Sequence, residues 1–280
     1  MKKSRKAIAI TVIISICVTV CLGFLGFKLY NHEKWQTQQI KNLMSENEEL
    51  QSQNDKLNKK ISELSTIVDT KIEYNKDGYN YLAIGNSITI HPKADYWWNE
   101  IGMAATTADK DYFHIVESYL KEQHTEFIGY AYNYFEWEAQ ANDRSETFSL
   151  LDGYLSKDIN LITLQLSENV TELSTFSEDY TNMIKHIKEE CPSAKIIMID
   201  DFWDDNKSTI KREIANENGL AFADLSEIRN KSEYQCGIGT VVYGDDGEAH
   251  IVEHDGVAIH PNDKAMQYIA DKVIEAIGNN

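Results

Sequence analysis

The first side chain that could do chemistry is Ser87, which directly follows a run typical of a buried strand. Tyr79–Ile84 is aromatic and aliphatic, and Gly85-Asn86 then breaks the strand, because both residues tolerate the tight backbone of a turn. Ser87 therefore stands at the carboxyl end of a strand, where open α/β sheets keep their ligand sites. Its hydroxyl could be a nucleophile if a base reaches it, or the cap of a following helix.

A candidate base and a candidate acid occur together near the C-terminus. Asp255 and His260 lie in a turn-rich stretch that ends at Pro261-Asn262, just before a run with apolar residues at helical spacing. An imidazole can accept a proton near neutral pH, and a carboxylate can orient it and stabilise its cation. A serine, a histidine and an acid in these places favour acyl transfer through a serine nucleophile.

Strands and helices alternate between these two stretches. Strands are predicted at residues 126–130, 159–166, 195–199 and 220–223, and helices at residues 108–123, 137–155, 177–190 and 207–218. This alternation indicates right-handed βαβ units and a parallel sheet, so we expect a three-layer α/β/α sandwich. The runs around Asp245-Asp246-Gly247 predict a small hairpin beside the histidine stretch.

The layout resembles the SGNH (GDSL-type) hydrolases from Tyr79 to the C-terminus. Their first block, usually Gly-Asp-Ser, is similar to Gly85-Asn86-Ser87, and their last, Asp-x-x-His, to Asp255…His260. The third, Gly-x-Asn, is similar to Ser167-Glu168-Asn169, and the second, a glycine after the first strand, to Gly102. The resemblance implies a flavodoxin-like α/β domain with esterase activity that needs no metal ion and no cofactor.

The resemblance also implies the catalytic residues. Ser87 would be the nucleophile, His260 the base and Asp255 the acid. The spacing of the acid departs from the family, because Asp255 stands five positions before the histidine and the family pattern has three. Asp263, Glu253 and a Ser-His dyad without a carboxylate are the alternatives.

Oxyanion donors and a substrate platform complete the expected site. By resemblance, the oxyanion would be bound by the backbone N–H groups of Ser87 and Gly102 and by the Asn169 side chain, which could instead cap a helix. Trp97 and Trp98 belong to an aromatic loop after the nucleophile. Their flat faces could stack on sugar rings of a substrate, or pack inward.

Composition limits the partners. The net charge of −18 argues against binding to nucleic acid. It also argues against a folded domain that binds the surface of an anionic membrane. The sequence contains no Cys-x-x-Cys pair, so it does not predict a zinc site. Cys191 and Cys236 could form a disulfide in an oxidising compartment. The acidic residues at 200–205 are more typical of a solvated loop than of a cation site.

The N-terminus predicts a membrane anchor. Residues 7–27 are uncharged and mostly apolar, long enough to span a bilayer, and the basic residues at 1–6 favour a cytoplasmic N-terminus. We therefore expect a single-pass signal anchor in the cell membrane, with the hydrolase domain at residues 74–280 extracytoplasmic. A cleaved signal peptide and a lipoprotein at Cys21 are the alternatives.

Residues 33–71 predict a coiled-coil stalk. Leucines recur every seven residues at Leu43, Leu50, Leu57 and Leu64. Asn47 and Asn54 fall on the other seam position and favour a parallel homodimer, because buried amides pair only in register. A lone amphipathic helix lying on the domain is the alternative.

Three functions fit these features. The first is an esterase that removes O-acetyl groups from surface or cell-wall carbohydrate, or cleaves another ester. The second is an O-acyltransferase that uses the same serine to pass the acyl group to a sugar hydroxyl. The third is a non-catalytic carbohydrate-binding module, which the presence of Ser87, His260 and Asn169 disfavours.

Overall fold

The computed structural model describes residues 72–141 and 143–278, together with residues 28, 32, 34–36, 38–44 and 47. The chain divides into two units, residues 1–69 and residues 70–280. The described residues of the first unit are helical and exposed. The predicted membrane span and most of the predicted stalk lie outside the described residues. Within the described part of the chain, no helix combines the length and the apolar character that a membrane crossing requires.

A parallel sheet of five strands forms the centre of the second unit. The strands are β1 (Tyr79–Gly85), β2 (Phe127–Asn133), β3 (Leu161–Gln165), β4 (Lys195–Ile199) and β5 (Ala221–Ala223). Their order is β2-β1-β3-β4-β5, the order of flavodoxin-like sheets, so the predicted parallel sheet is confirmed. β2 extends beyond the predicted strand, because its last residues, Ala131, Tyr132 and Asn133, pair with the end of β1.

Helices connect the strands. They are α1 (Tyr112–Gln123), α2 (Phe135–Ala139), α3 (Phe148–Asp152), α4 (Phe176–Glu190), α5 (Asp205–Asn218), α6 (Asp255–Ala258) and α7 (Asp263–Gly278), with 3₁₀ turns at Ala108–Lys110, Arg144–Thr147 and Ser232–Tyr234. The helix predicted at residues 108–123 starts only at Tyr112, because the Asp111 side chain caps it by accepting the His114 N–H. The helix predicted at residues 137–155 is two short helices and a 3₁₀ turn.

The sheet is buried on both faces. Leu82 and Ile84 of β1 face a core built with α4 and α5, whereas Tyr81 and Ala83 face a second core built with α1 and α7. A strand covered on both sides reads as a continuous apolar run, which is why β1, β3 and β4 were predictable. The result is the expected three-layer sandwich.

A smaller cluster lies under the loops that carry the candidate site. The antiparallel strands β6 (Val241–Tyr243) and β7 (Ala249–Ile251) form the predicted hairpin. Val242 packs there with Val252, Val257 and residues of the loop after β1. The predicted disulfide is not formed: Cys191 and Cys236 are free thiols, and they pack against different clusters.

Candidate active site

The end of β1 positions Ser87. The chain turns immediately after Gly85, and the N–H groups of Thr89 and Ile90 donate to the Asn86 carbonyl. This turn packs back on the strand so closely that a Cβ on Gly85 would lie 1.9 Å from the Thr89 hydroxyl oxygen. Only glycine fits there, and Ser87 is thereby presented, half-buried, at the carboxyl edge of the sheet.

His260 reaches Ser87 from the other end of the chain. It follows α6, and its Nε2 lies 2.8 Å from the Ser87 hydroxyl oxygen. Its Nδ1 lies 2.6 Å from the Gly256 carbonyl oxygen. Because a carbonyl can only accept, Nδ1 carries the proton and Nε2 is free to accept the serine proton. This is the tautomer that a general base requires.

The structure does not bring the proposed acid to the base. Asp255 is the exposed first residue of α6, and Glu253 is also exposed. The Asp263 carboxylate instead accepts from the Thr106 N–H at 2.8 Å and from its hydroxyl at 2.6 Å. Among the hydrogen bonds of residues 72–141 and 143–278, none joins a carboxylate to His260. The geometry is that of a Ser-His dyad oriented by a main-chain carbonyl.

Burial controls the protonation of the base. It lowers the pKa of His260 to about 4. The hydrogen bond to the Gly256 carbonyl opposes this shift, and the imidazoles of His91 and His254 add to it. At neutral pH the imidazole is therefore uncharged, as a base must be.

The pH dependence of activity follows from that pKa. We expect kcat/KM for an ester to be level across neutral and mildly acidic pH, and to fall tenfold per pH unit only below about 4. Initial rates over a pH series would measure it, with circular dichroism at each pH as the control for acid unfolding. An inflection near the ordinary histidine value of 6.5 would contradict the burial of His260.

A buried glutamate holds the amide of Asn169. The Asn169 side chain is exposed at the end of β3 and donates one Nδ2–H to Glu138 of α2 at 2.7 Å. Within the described residues its second N–H has no partner. Asn169 thus retains a donor for a developing oxyanion, as expected from the resemblance.

Gly102 does not offer its N–H to the site. That N–H donates to the Asp111 carboxylate at 2.9 Å, which corrects the prediction of an oxyanion donor at this position. A Cβ there would lie 2.6 Å from the Ile88 carbonyl oxygen, so the glycine is needed for close packing under the nucleophile turn. The Ser87 N–H makes no hydrogen bond within the described part of the chain and remains, with Asn169, as a donor.

Two residues that differ from the SGNH pattern, Asn86 and Ser167, donate hydrogen bonds to acidic side chains. Asn86 replaces the usual aspartate and donates from Nδ2 to Glu138 at 3.1 Å and to Glu168 at 2.8 Å, which an aspartate could not do. Ser167 replaces the usual glycine and has φ 149°, a conformation that favours glycine. Its hydroxyl donates to Asp201 at 2.6 Å, a contact that glycine lacks.

The prediction of a solvated loop at residues 200–205 is wrong for Asp200 and Asp201, whereas Asp205 is exposed. Asp200 and Asp201 are fully buried. Asp200 forms an ion pair with Arg229. Asp201 accepts a hydrogen bond from the Ser167 hydroxyl, and its charge acts on Glu168. Burial, with the Asp201 charge adding to it, raises the pKa of Glu168 to about 8.

A cavity of about 710 Å³ opens over Ser87, His260 and Asn169. Its wall contains aromatic and acidic side chains, including His91, Tyr96, Tyr132, Phe135, Tyr154, Glu100 and Glu136. Tyr132 and Tyr154 stack with their ring centroids 3.9 Å apart. The predicted platform is different: Trp97 is 1% exposed in the cluster under the site, and Trp98 stacks on His250. Neither tryptophan lines this cavity.

Comparison with known proteins finds similarity only in structure. No protein-family profile matches the chain, and no curated protein matches it in sequence. Phospholipase A1 from Streptomyces albidoflavus is 11% identical over 71% of this chain and 99% of its own, with a TM-score of 0.46. The acetylxylan esterase Axe2 from Geobacillus stearothermophilus is 14% identical over 74% and 98%, with a TM-score of 0.45. A two-domain esterase active on acetylated mannans is 14% identical over 76% and 52%, with a TM-score of 0.45.

Sequence reasoning missed three kinds of site residue. The aromatic residues Tyr132, Tyr134 and Phe135 were a detectable signal, because they lie at the carboxyl end of a strand, and such strand ends border the ligand site in parallel sheets. Glu138 had no signal, since its partners lie far away in sequence. The Gly256 carbonyl had none either, because every residue carries such a group.

Proposed function

We propose that this protein is a serine esterase of the SGNH type, with Ser87 as nucleophile and His260 as base. The observation that carries the proposal is the 2.8 Å contact between the Ser87 hydroxyl and His260 Nε2, at the floor of a cavity that also holds the Asn169 amide. A serine hydroxyl becomes a nucleophile when a base takes its proton. A serine that only capped a helix would not need a neutral, buried imidazole within hydrogen-bond distance of its hydroxyl.

The chemistry proceeds in two steps. His260 takes the Ser87 proton while the hydroxyl oxygen attacks the ester carbonyl carbon, and the resulting oxyanion is held by the Ser87 N–H and Asn169. The protonated imidazole then gives its proton to the leaving alkoxide, so the alcohol departs and an acyl-serine remains. Water repeats the sequence with His260 as base, which releases the carboxylic acid and restores the serine.

The main-chain carbonyl of Gly256 takes the orienting role that a carboxylate has in a triad. It fixes the imidazole ring and its tautomer through Nδ1. As a neutral group it stabilises the imidazolium less than a carboxylate would. This agrees with the low pKa of His260.

The cavity wall supports an acylated carbohydrate as substrate. Tyr132 and Tyr154 present stacked aromatic rings, which can cover the apolar face of a sugar. Glu100 and Glu136 add carboxylates that can accept hydrogen bonds from sugar hydroxyls. We therefore propose O-acetylated surface or cell-wall carbohydrate as the substrate class.

Turnover of p-nitrophenyl acetate by the purified ectodomain tests the function. We expect release of p-nitrophenol and of free acetate. A reaction that produces acetylated sugar when a sugar acceptor is added, with little acetate, would replace the esterase by an acyltransferase. No turnover with any ester would leave a binding module and contradict the proposal.

We also propose that residues 7–27 anchor the chain in the cell membrane with the catalytic domain outside, and that residues 33–71 pair two chains in parallel. The apolar run and the preceding basic residues support the anchor. The leucines at seven-residue spacing, with Asn47 and Asn54 on the other seam position, support the parallel pair.

An ectodomain that begins at Glu33 should sediment as a dimer at high concentration, because its leucine seam buries apolar surface only when paired. Replacing Leu50 and Leu57 by alanine should return it to a monomer. An ectodomain that begins at Tyr74 is the control and should be monomeric with unchanged kcat. A monomer at every concentration of the longer chain would contradict the stalk.

A further inference from the structure

Glu138 is a buried carboxylate without a cation. Its side chain is 2% exposed, and within the described part of the chain no ion pair joins it to a lysine or arginine. A buried charge in that state costs stability unless hydrogen bonds compensate it. An apolar side chain at this buried position of α2 would stabilise the fold more, so packing alone does not explain a carboxylate here.

The carboxylate is compensated only by N–H donors. Its Oε2 accepts from Asn169 Nδ2 at 2.7 Å. Its Oε1 accepts from the Ser167 N–H at 2.6 Å, from Asn86 Nδ2 at 3.1 Å and, more weakly, from the Asn169 N–H at 3.4 Å. The partners belong to the turn that carries Ser87 and to the loop that carries Asn169. Glu138 thus connects the turn that carries Ser87 to the loop that carries Asn169 through hydrogen bonds on the side away from the cavity.

An acceptor-only partner decides which way the Asn169 amide faces. Against a carboxylate, only Nδ2 can point inward, because the amide oxygen would meet another acceptor. A neutral amide in place of Glu138 would accept either orientation of Asn169. Burial raises the pKa of Glu138, whereas the hydrogen bonds that its carboxylate accepts from Asn169, Ser167 and Asn86 lower it and favour the charged form.

Resting on the proposed function, we propose that Glu138 is a positioning residue for the oxyanion site. It fixes Asn169 so that one N–H of the amide is always directed at the position where the oxyanion forms. Glu138 itself does not line the cavity and does not touch the substrate. Its effect on the rate passes through Asn169.

A double-mutant cycle in the full-length protein tests this, with p-nitrophenyl acetate as probe. Asn169→Ala should lower kcat by about 10²–10³, the usual loss for one oxyanion donor. Glu138→Gln should lower kcat by about 10–100-fold with KM within about twofold, because the contact is made only in the transition state. In the double variant, kcat should equal that of Asn169→Ala within about threefold.

Glu168→Gln is the matched control. It is a neighbouring acid on the same Asn86 amide, but it makes no hydrogen bond to Asn169. Its kcat should stay within about threefold of the wild type. If Glu138→Gln does not fold, as judged by its thermal transition, Glu138→Asp keeps the charge, withdraws the carboxylate from Asn169, and should give the same pattern.

Two results would overturn the inference. One is an unchanged kcat in the folded Glu138 variant, and the other is losses that multiply in the double variant, because both mean that Glu138 does not act through Asn169. Ser87→Ala measured in parallel separates this from the proposed function. If Ser87→Ala is inactive while the cycle is multiplicative, only the role of Glu138 fails. If Ser87→Ala turns over like the wild type, the esterase mechanism fails.

Discussion

Replacing Ser87 by alanine should lower kcat by about 10⁴–10⁶ while leaving the fold intact. The expected loss is large because the variant has no atom that can form the acyl-enzyme, and His260 is left without a proton to accept. The stability should change little, since the half-buried hydroxyl makes one side-chain hydrogen bond among the described residues, to His260. Steady-state hydrolysis of p-nitrophenyl acetate and the thermal transition of both proteins would measure the two quantities.

An unrelated serine provides the control for this experiment. Ser177 lies exposed in α4, away from the cavity, and Ser177→Ala should keep wild-type kcat. Turnover by Ser87→Ala at the rate of Ser177→Ala would show that the Ser87–His260 contact is structural. The nucleophile would then have to be sought elsewhere.

The sandwich could be predicted from the sequence because its strands are buried on both faces. β1, β3 and β4 therefore appear as short apolar runs, and turn residues mark their ends. β2 was predicted too short, because every residue of this edge strand is only half-buried. Its full length depends on pairing with β1, which is a tertiary interaction that local pattern does not contain.

The site was predictable where chemistry depends on residue type. Ser87 and His260 are separated by 173 positions and meet in the structure, although their catalytic roles stay a prediction. Roles that depend on main-chain groups were not predictable. The N–H of Gly102 is taken by Asp111, and the imidazole is oriented by a carbonyl rather than by Asp255. Burial of Trp97 likewise depends on the hairpin that packs over it.

The second large expected effect is the loss of the base, His260, compared with the loss of the acid that was predicted to orient it. His260→Ala should lower kcat by about 10⁴–10⁶, as much as the loss of the serine, because residues that act as a unit fail together. Asp255→Asn should leave kcat within about twofold, since this exposed carboxylate makes no hydrogen bond to His260. In a triad the same change costs about 10⁴, because the imidazole loses its orientation and tautomer.

Substitution of Asp263, the alternative acid, separates an effect on folding from an effect on the orientation of His260. Asp263→Asn should lower the thermal transition, because the Asp263 carboxylate accepts two hydrogen bonds from Thr106, but it should spare kcat in the protein that remains folded. A loss of kcat near 10⁴ in either variant, with the fold intact, would mean that a carboxylate reaches the imidazole during turnover. If both variants turn over normally while His260→Ala does not, the Gly256 carbonyl is sufficient to orient the base. A main-chain acceptor is held by the backbone of α6 itself, so no side-chain substitution can remove it and only a change in the course of that helix would release the imidazole.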